Sequence, residues 1–167
     1  LGCVKDLFEK EENAAVVIAT PRNQLVKQWS EVIDDFGFRE EKVIASGRND
    51  NWKEDLSDII YDLNFETIDK AFLLTTHKTF SNEKFMRKIK YLNKPVFLIV
   101  DEVHGIGAPT YQKGLNENYK YRLGLSATPK RWFDDEGTEA IFSFFEAESG
   151  PTYSFGMEKA IEEVNPK

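Results

Sequence analysis

The sequence predicts a three-layer α/β/α domain built on a mainly parallel sheet. Short apolar runs alternate with longer amphipathic stretches along the chain, which is the pattern of repeated strand-and-helix units. The run Ala14-Ala15-Val16-Val17-Ile18-Ala19 is continuously apolar rather than alternating, as a strand covered by helices on both faces requires. No repeat, low-complexity tract or Gly/Ser linker interrupts the pattern, so the 167 residues are read as one domain with a core of its own.

Each element has a local reason. Leu1 to Lys10 is expected to be helical, with Leu1, Val4, Leu7 and Phe8 on one face. Ala14 to Ala19 is expected to be the central strand. After it, Thr20 is the expected cap of a helix with Pro21 at its first position, where a missing N–H costs nothing. Leu25, Trp29, Val32, Ile33 and Phe36 recur at spacings of three and four and form the expected buried stripe of that helix. Lys42 to Ala45 follows as a short strand, then a helix carrying Trp52, Leu56, Ile59 and Leu63, then the strand Ala71 to Thr75. Ser81 is the expected cap of a helix bearing Phe85, Ile89 and Leu92, and Pro95 opens the strand Val96 to Val100. Tyr121 to Leu125 is the last strand, Thr138 to Phe145 reads as a helix, and Met157 to Val164 reads as a small terminal helix.

Composition narrows the function. Lys and Arg number 22 against 29 Asp and Glu, for a formal charge of −7, while 41% of residues are hydrophobic and 13% aromatic. A disordered tail and a histone-like polycation are both excluded. Any contact with nucleic acid must come from a local basic patch on a repelling background. The single cysteine, Cys3, cannot form an internal disulfide and suits a reducing, intracellular setting, so a cytoplasmic location is expected. No apolar run is long enough to cross a bilayer as a helix, and no membrane partner is expected. The chain opens on Leu1 rather than Met and is read as a piece of a longer protein.

In such sheets chemistry collects at the carboxyl ends of the strands. After Val96 to Val100 comes Asp101-Glu102-Val103-His104. Two adjacent carboxylates beside an apolar core are costly to hold unless a cation or water uses them. An Asp in that place can hold a hydrated Mg²⁺ against phosphate oxygens, and the adjacent Glu can polarise an attacking water. The same pattern also occurs where a strand simply turns into solvent. Ser126-Ala127-Thr128-Pro129, after the last strand, suits either a turn that relays hydrogen bonds between strand tips or a plain turn. Thr20-Pro21-Arg22 offers helix N–H groups and a cation, either as a seat for a backbone phosphate or as an ordinary cap. Thr75, Thr76 and His77 make another hydroxyl-rich strand tip.

Taken together and in this order, ATPRNQL, TTHKTF, LIVDEVHGIGA and GLSATPKR resemble motifs Ia, Ib, II and III of superfamily 2 helicases and translocases. The DEVH box and its Gly-Ile-Gly-Ala turn bring the chain nearest to XPB-type helicases and the motor subunits of type III restriction enzymes. The resemblance runs from about Val16 to the segment Tyr153 to Ile161. It implies a RecA-like, P-loop NTPase-type fold, with residues 1–167 as a partial helicase ATP-binding domain using ATP and Mg²⁺. By resemblance Asp101 holds the Mg²⁺ through water, Glu102 is the general base, and Asp101 with Glu102 faces the nucleotide. His104 links that site to motif III through Ser126 and Thr128. Thr20, Arg22 and Gln24 are implied as motif Ia contacts to a strand's phosphates, and Thr75 with Thr76 as motif Ib contacts. Lys130 and Arg131 add positive charge just beyond motif III. The implied partners are nucleic acid, with duplex DNA favoured, and a second RecA-like domain that supplies an arginine.

No Gly-x-x-x-x-Gly-Lys-Ser/Thr occurs in the sequence. That loop cradles the phosphates of such motors, so the chain is expected to start just downstream of it and to be inactive alone. Three other readings use the same residues. A metal-dependent hydrolase or nuclease would draw on Asp101, Glu102, His104 and His77. A nucleic-acid-binding scaffold that has lost hydrolysis would have no need of Glu102 as a base. A serine hydrolase built from Ser126, His104 and Asp101 is disfavoured, because Leu125 and Ala127 do not make a nucleophile elbow.

Overall fold

The computed structural model describes residues 1–128, 134–147 and 150–153. Five strands, β1 (Ala14–Thr20), β2 (Glu41–Ala45), β3 (Lys70–Thr76), β4 (Val96–Asp101) and β5 (Tyr121–Leu125), form one sheet in the order β2-β3-β1-β4-β5. Every pairing is parallel. β1 lies at the centre with all seven residues buried, as its unbroken apolar run predicts.

Side chains alternate across each strand, so one sheet feeds two cores. On one face Val16, Ile18, Phe72, Leu74, Phe97 and Ile99 pack with Val4, Leu7 and Phe8 of α1 (Gly2–Lys10) and Val26 and Ile33 of α2 (Asn23–Asp35). On the other face Ala15, Val17, Leu73, Leu98 and Val100 meet α3 (Trp52–Asn64), α5 (Glu83–Tyr91) and Ile141 of α7 (Asp135–Phe144). The result is the three-layer α/β/α, RecA-like arrangement. Two single turns complete it: α4 (His77–Phe80), directly after β3, and α6 (Pro109–Gln112), after a short 3₁₀ helix at Val103–Gly107. The strand-and-helix periodicity does not reveal these turns, because each is shorter than the repeat that would show it.

Several local expectations need correction. Thr20 is the last residue of β1, paired with Thr76 of β3, and it does not cap α2. Its Oγ1 donates to the Arg22 carbonyl at 3.1 Å. Arg22 holds the N-cap position with extended backbone, so Pro21 lies in the turn before the helix. The strand is simply longer than its apolar run, because a buried Thr hydroxyl can be satisfied by its own turn. The buried stripe of α2 is also narrower than expected: Val26 and Ile33 are buried, Leu25 and Trp29 are half-buried, and Val32 and Phe36 are 42% and 63% exposed. Asn82, rather than Ser81, caps α5, its Oδ1 accepting from Lys84 N at 2.9 Å. Ser81 Oγ instead donates to the Tyr111 carbonyl at 2.7 Å. α7 starts three residues before Thr138 and ends at Phe144, because Asp134 accepts from Gly137 N at 2.8 Å and caps it earlier.

The expected helix Met157 to Val164, with Pro129, Lys130 and Arg131, lies outside the described residues. Among the described residues no helix is long and apolar enough to cross a membrane.

Phe72 closes the α1 side of the core, its ring edge-on to Phe8 at 5.5 Å and Phe38 at 5.3 Å between centroids. Phe72→Ala is expected to lower the unfolding free energy by about 3–5 kcal/mol. Tyr91→Ala, at a side chain 77% exposed, is expected to change it by no more than about 0.5 kcal/mol. Urea unfolding of both variants measures the difference.

Candidate nucleotide and nucleic-acid site

Because all strands run the same way, every carboxyl end lies on one edge of the sheet. Ala19 is paired with both Thr75 and Val100, and Asp101 is paired with Leu125. Residues singled out far apart in sequence therefore meet at the tips of β1, β3, β4 and β5.

Asp101 ends β4 and is held at three atoms. Its Oδ2 accepts from Trp29 Nε1 at 3.0 Å, its Oδ1 accepts from the Glu102 N–H at 3.0 Å, and its carbonyl accepts from His77 Nε2 at 2.9 Å. A carboxylate offers about four lone-pair positions, so each oxygen keeps one for a further partner. Glu102 sits in the left-handed region, φ 49° and ψ 52°, where a side chain with a Cβ costs about 1–3 kcal/mol. That twist turns the second acid away from the first, so the two carboxylates serve different neighbours.

Glu102 looks toward His104 and Ser126. Its Oε2 lies 3.3 Å from His104 Nδ1 and accepts from Ser126 Oγ at 3.5 Å, while His104 Nδ1 and Ser126 Oγ are 3.0 Å apart. The three groups form a closed triangle that joins β4 to β5. Glu102 and His104 remain 43% and 40% exposed, open to a ligand. Thr128 enters through its main chain, its N–H donating to Ser126 Oγ at 3.1 Å, and its side chain is exposed. Glu102 and Ser126 both meet Nδ1 of the imidazole, whereas a serine–histidine–acid relay needs them on opposite nitrogens. Among the described residues no three His, Cys, Asp or Glu side chains converge as a metal-binding group, so the metal-hydrolase reading lacks its donor set there.

From the sequence His77 is expected at a hydroxyl-rich strand tip, or as a ligand in the metal-hydrolase reading. The structure buries it and commits Nε2 to the Asp101 carbonyl. Gly105 leaves room for its ring, since a Cβ there would come within 3.1 Å of Nδ1. Burial pushes the imidazole below its ordinary value, outweighing the Asp101 and Ala19 carbonyls that favour the protonated ring.

The residues expected to meet nucleic acid divide into two kinds. Arg22 and Gln24 are exposed at the start of α2 and line two adjoining hollows. One, of about 530 Å³, also takes in Gln28, Glu102, His104 and Gly105; the other, of about 770 Å³, takes in Lys27, Ser46 and Arg48. Thr20, Thr75 and Thr76 are buried. Thr75 Oγ1 donates to the Ala45 carbonyl at 2.7 Å, and Thr76 Oγ1 accepts from Thr79 N at 3.3 Å. These hydroxyls hold the strand tips in shape. Arg48, Lys53, Lys78 and Lys84 line a third hollow that shares Arg48 with the second. A local basic patch thus exists on a chain of net charge −7. Arg48 and Trp29 join the candidate site without any motif to mark them, because each becomes a neighbour only through the parallel sheet. A separate hollow of about 510 Å³ runs beside the start of β5, lined by Leu7, Phe97, Tyr121 and Phe144 among others, and contains none of the acid pair.

The all-parallel sheet carries an acid pair leaving one strand, joined through histidine to a serine leaving the next, and the comparisons with known proteins place this chain among RecA-like domains of superfamily 2 helicases. Residues 1–131 match the family described as "Type III restriction enzyme, res subunit", and the chain belongs to that family. It is 35% identical over 74 residues to the "Putative DNA 3'-5' helicase Rad25" of Haloarcula marismortui, which covers 44% of this chain and 11% of that protein. The chain therefore spans a small part of that relative's length. Among solved structures, a de novo designed protein determined by solution NMR is 9% identical, covering 86% of this chain and 98% of its own, with a TM-score of 0.52. A de novo designed protein of P-loop NTPase fold is 14% identical, covering 83% and 93%, with a TM-score of 0.47.

His77 gives the fold a pH dependence of definite sign. In the unfolded chain the ring takes a proton near the ordinary value of 6.5, whereas in the fold it does so only at lower pH. The His77 contribution is therefore complete above that value and is lost as pH falls below it, the unfolded state binding the extra proton. Stability measured by urea unfolding is expected to drop on acidification in that window, and His77→Asn is expected to flatten the drop.

Proposed function

We propose that this chain is part of an ATP-dependent helicase or translocase acting on DNA, as the first of two RecA-like domains in a longer protein. The observation that carries the proposal is the Glu102–His104–Ser126 triangle beside Asp101, which ties the tip that would face a nucleotide to the neighbouring strand. DNA is favoured as the track because the Haloarcula marismortui relative is described as a DNA helicase. The exposed thiol of Cys3 suits an intracellular setting.

Asp101 fits a hydrated Mg²⁺, since each carboxylate oxygen keeps a lone pair after its protein hydrogen bond. Bound through water there, the ion would neutralise charge on the phosphate oxygens of ATP. Glu102, turned from Asp101 by its left-handed backbone, accepts a proton from an attacking water as general base. His104 and Ser126 hold the Glu102 carboxylate in place and carry its position to the end of β5. Thr128 fixes the Ser126 hydroxyl through its main-chain N–H. Arg22 and Gln24 bind phosphates of the nucleic acid at the start of α2, where unpaired helix N–H groups favour anions. Thr20, Thr75 and Thr76 act on the same strand by holding the loops that meet it. The phosphate-cradling loop and a second domain's arginine come from outside the 167 residues, so the chain does not hydrolyse ATP alone.

The contrasting reading, a scaffold that binds nucleic acid without hydrolysis, is disfavoured by the ordered placement of Glu102. In a longer protein that contains this chain, Glu102→Gln is expected to lower ATP turnover by about 10²–10⁴-fold while nucleotide binding persists. Phosphate release measured by malachite green decides it: unchanged turnover would remove Glu102 from the role of base. DNA-stimulated release from the isolated 167 residues would contradict the two-domain requirement.

A further inference from the structure

We propose that Trp29 is a positioning residue that couples nucleic acid bound at the start of α2 to the orientation of the Asp101 carboxylate. The inference rests on the proposed function and adds a residue that neither the motifs nor the comparisons assign. Trp29 Nε1 donates to Asp101 Oδ2 at 3.0 Å across 72 positions of sequence. The same helix begins with Arg22 at its N-cap and Gln24 in its first turn. Seven residues separate Arg22 from Trp29, about 10 Å of helix. Phosphate contacts and the carboxylate contact thus lie on one rigid element.

The main chain at Asp101 is fixed independently. β4 pairs with β5 at that residue, and buried His77 holds its carbonyl from the tip of β3. What remains adjustable is rotation of the carboxylate. Among the described residues its two oxygens have one donor each, the Trp29 indole on Oδ2 and the Glu102 N–H on Oδ1. A shift of α2 moves the first donor and leaves the second in place, so the carboxylate must turn. Indole N–H is a donor only, and phenylalanine in its place keeps the ring but cannot hold the oxygen. Trp29 is half-buried against the α1–α2 core and follows Gln28, which lines the hollow that also takes in Glu102.

The test uses ¹H–¹⁵N spectra of the 167-residue chain titrated with a short DNA duplex. In the wild type, the Trp29 indole N–H and the Glu102 amide are expected to shift together, with the midpoint shown by residues around Arg22. In Trp29→Phe the duplex is expected to bind within about twofold of wild type, since no phosphate contact is removed, while the Glu102 amide no longer responds. A Glu102 amide that still responds fully in Trp29→Phe overturns the coupling. Should that variant fail to fold, the wild-type indole decides alone: DNA binding without any movement of its resonance overturns the coupling equally. A chain that binds no duplex at all removes the nucleic-acid reading and this inference with it, an outcome distinct from normal binding with a silent indole.

Discussion

The parallel pairing of β1 with both β3 and β4 is the constraint on which the molecule rests. It is possible only because β1 is apolar on both faces, with α1 and α2 covering one side and α3, α5 and α7 the other. Once those pairings form, Thr20, Thr76 and Asp101 must arrive at the same edge of the sheet. β5 then brings Ser126 to the same edge by pairing with β4. Among the described residues, the candidate site residues lie on strand ends or directly after them. Their meeting is a consequence of strand direction, and the energy behind it is burial of the two apolar faces.

At that edge the chain places polar atoms in two contrasting ways. The buried hydroxyls of Thr20 and Thr75 and the buried ring of His77 are bonded to main-chain carbonyls. Such pairing is what burial demands of polar groups, and it makes the strand tips stiff. Of the half-exposed groups, Glu102, His104 and Ser126 meet one another, while the Asp101 carboxylate accepts from Trp29 and from the Glu102 N–H and keeps capacity for a ligand. A stiff buried layer under an open polar layer is what a preorganised charge-stabilising site requires. The left-handed backbone at Glu102 is the local strain that separates the two acids, and the surrounding β4 and 3₁₀ segments hold it.

Much of this was legible in the residues alone. The unbroken run Ala14 to Ala19 announced a central strand, and Val96 to Val100 followed by Asp-Glu announced where the acids would emerge. Helix faces were less legible. Spacings of three and four put Val32 and Phe36 on the buried stripe of α2, yet both are exposed, because periodicity gives a face but not how far the helix is sunk into the sheet. Caps failed at Thr20 and Ser81 for a shared reason: each hydroxyl had a competing main-chain carbonyl, Arg22 for one and Tyr111 for the other. The bond between Trp29 and Asp101 was invisible, because 72 residues separate the partners and only the fold brings them together. His77 was legible as chemistry but not as burial, since its position depends on the space left by Gly105.

The proposed function gives Asp101 the task of holding a nucleotide-bound divalent ion through water. The most direct measurement of that role replaces Mg²⁺ with Fe²⁺ in a longer protein that contains this chain and maps the backbone cuts made by ascorbate-driven oxidation with ATP present. Cuts at Asp101 and Glu102, with weaker ones near Ser126, all lost when ATP is withheld, are the predicted result. Nucleotide-dependent cuts confined to other strand tips, with the segment around Asp101 intact, would place the ion elsewhere and remove Asp101 from that role.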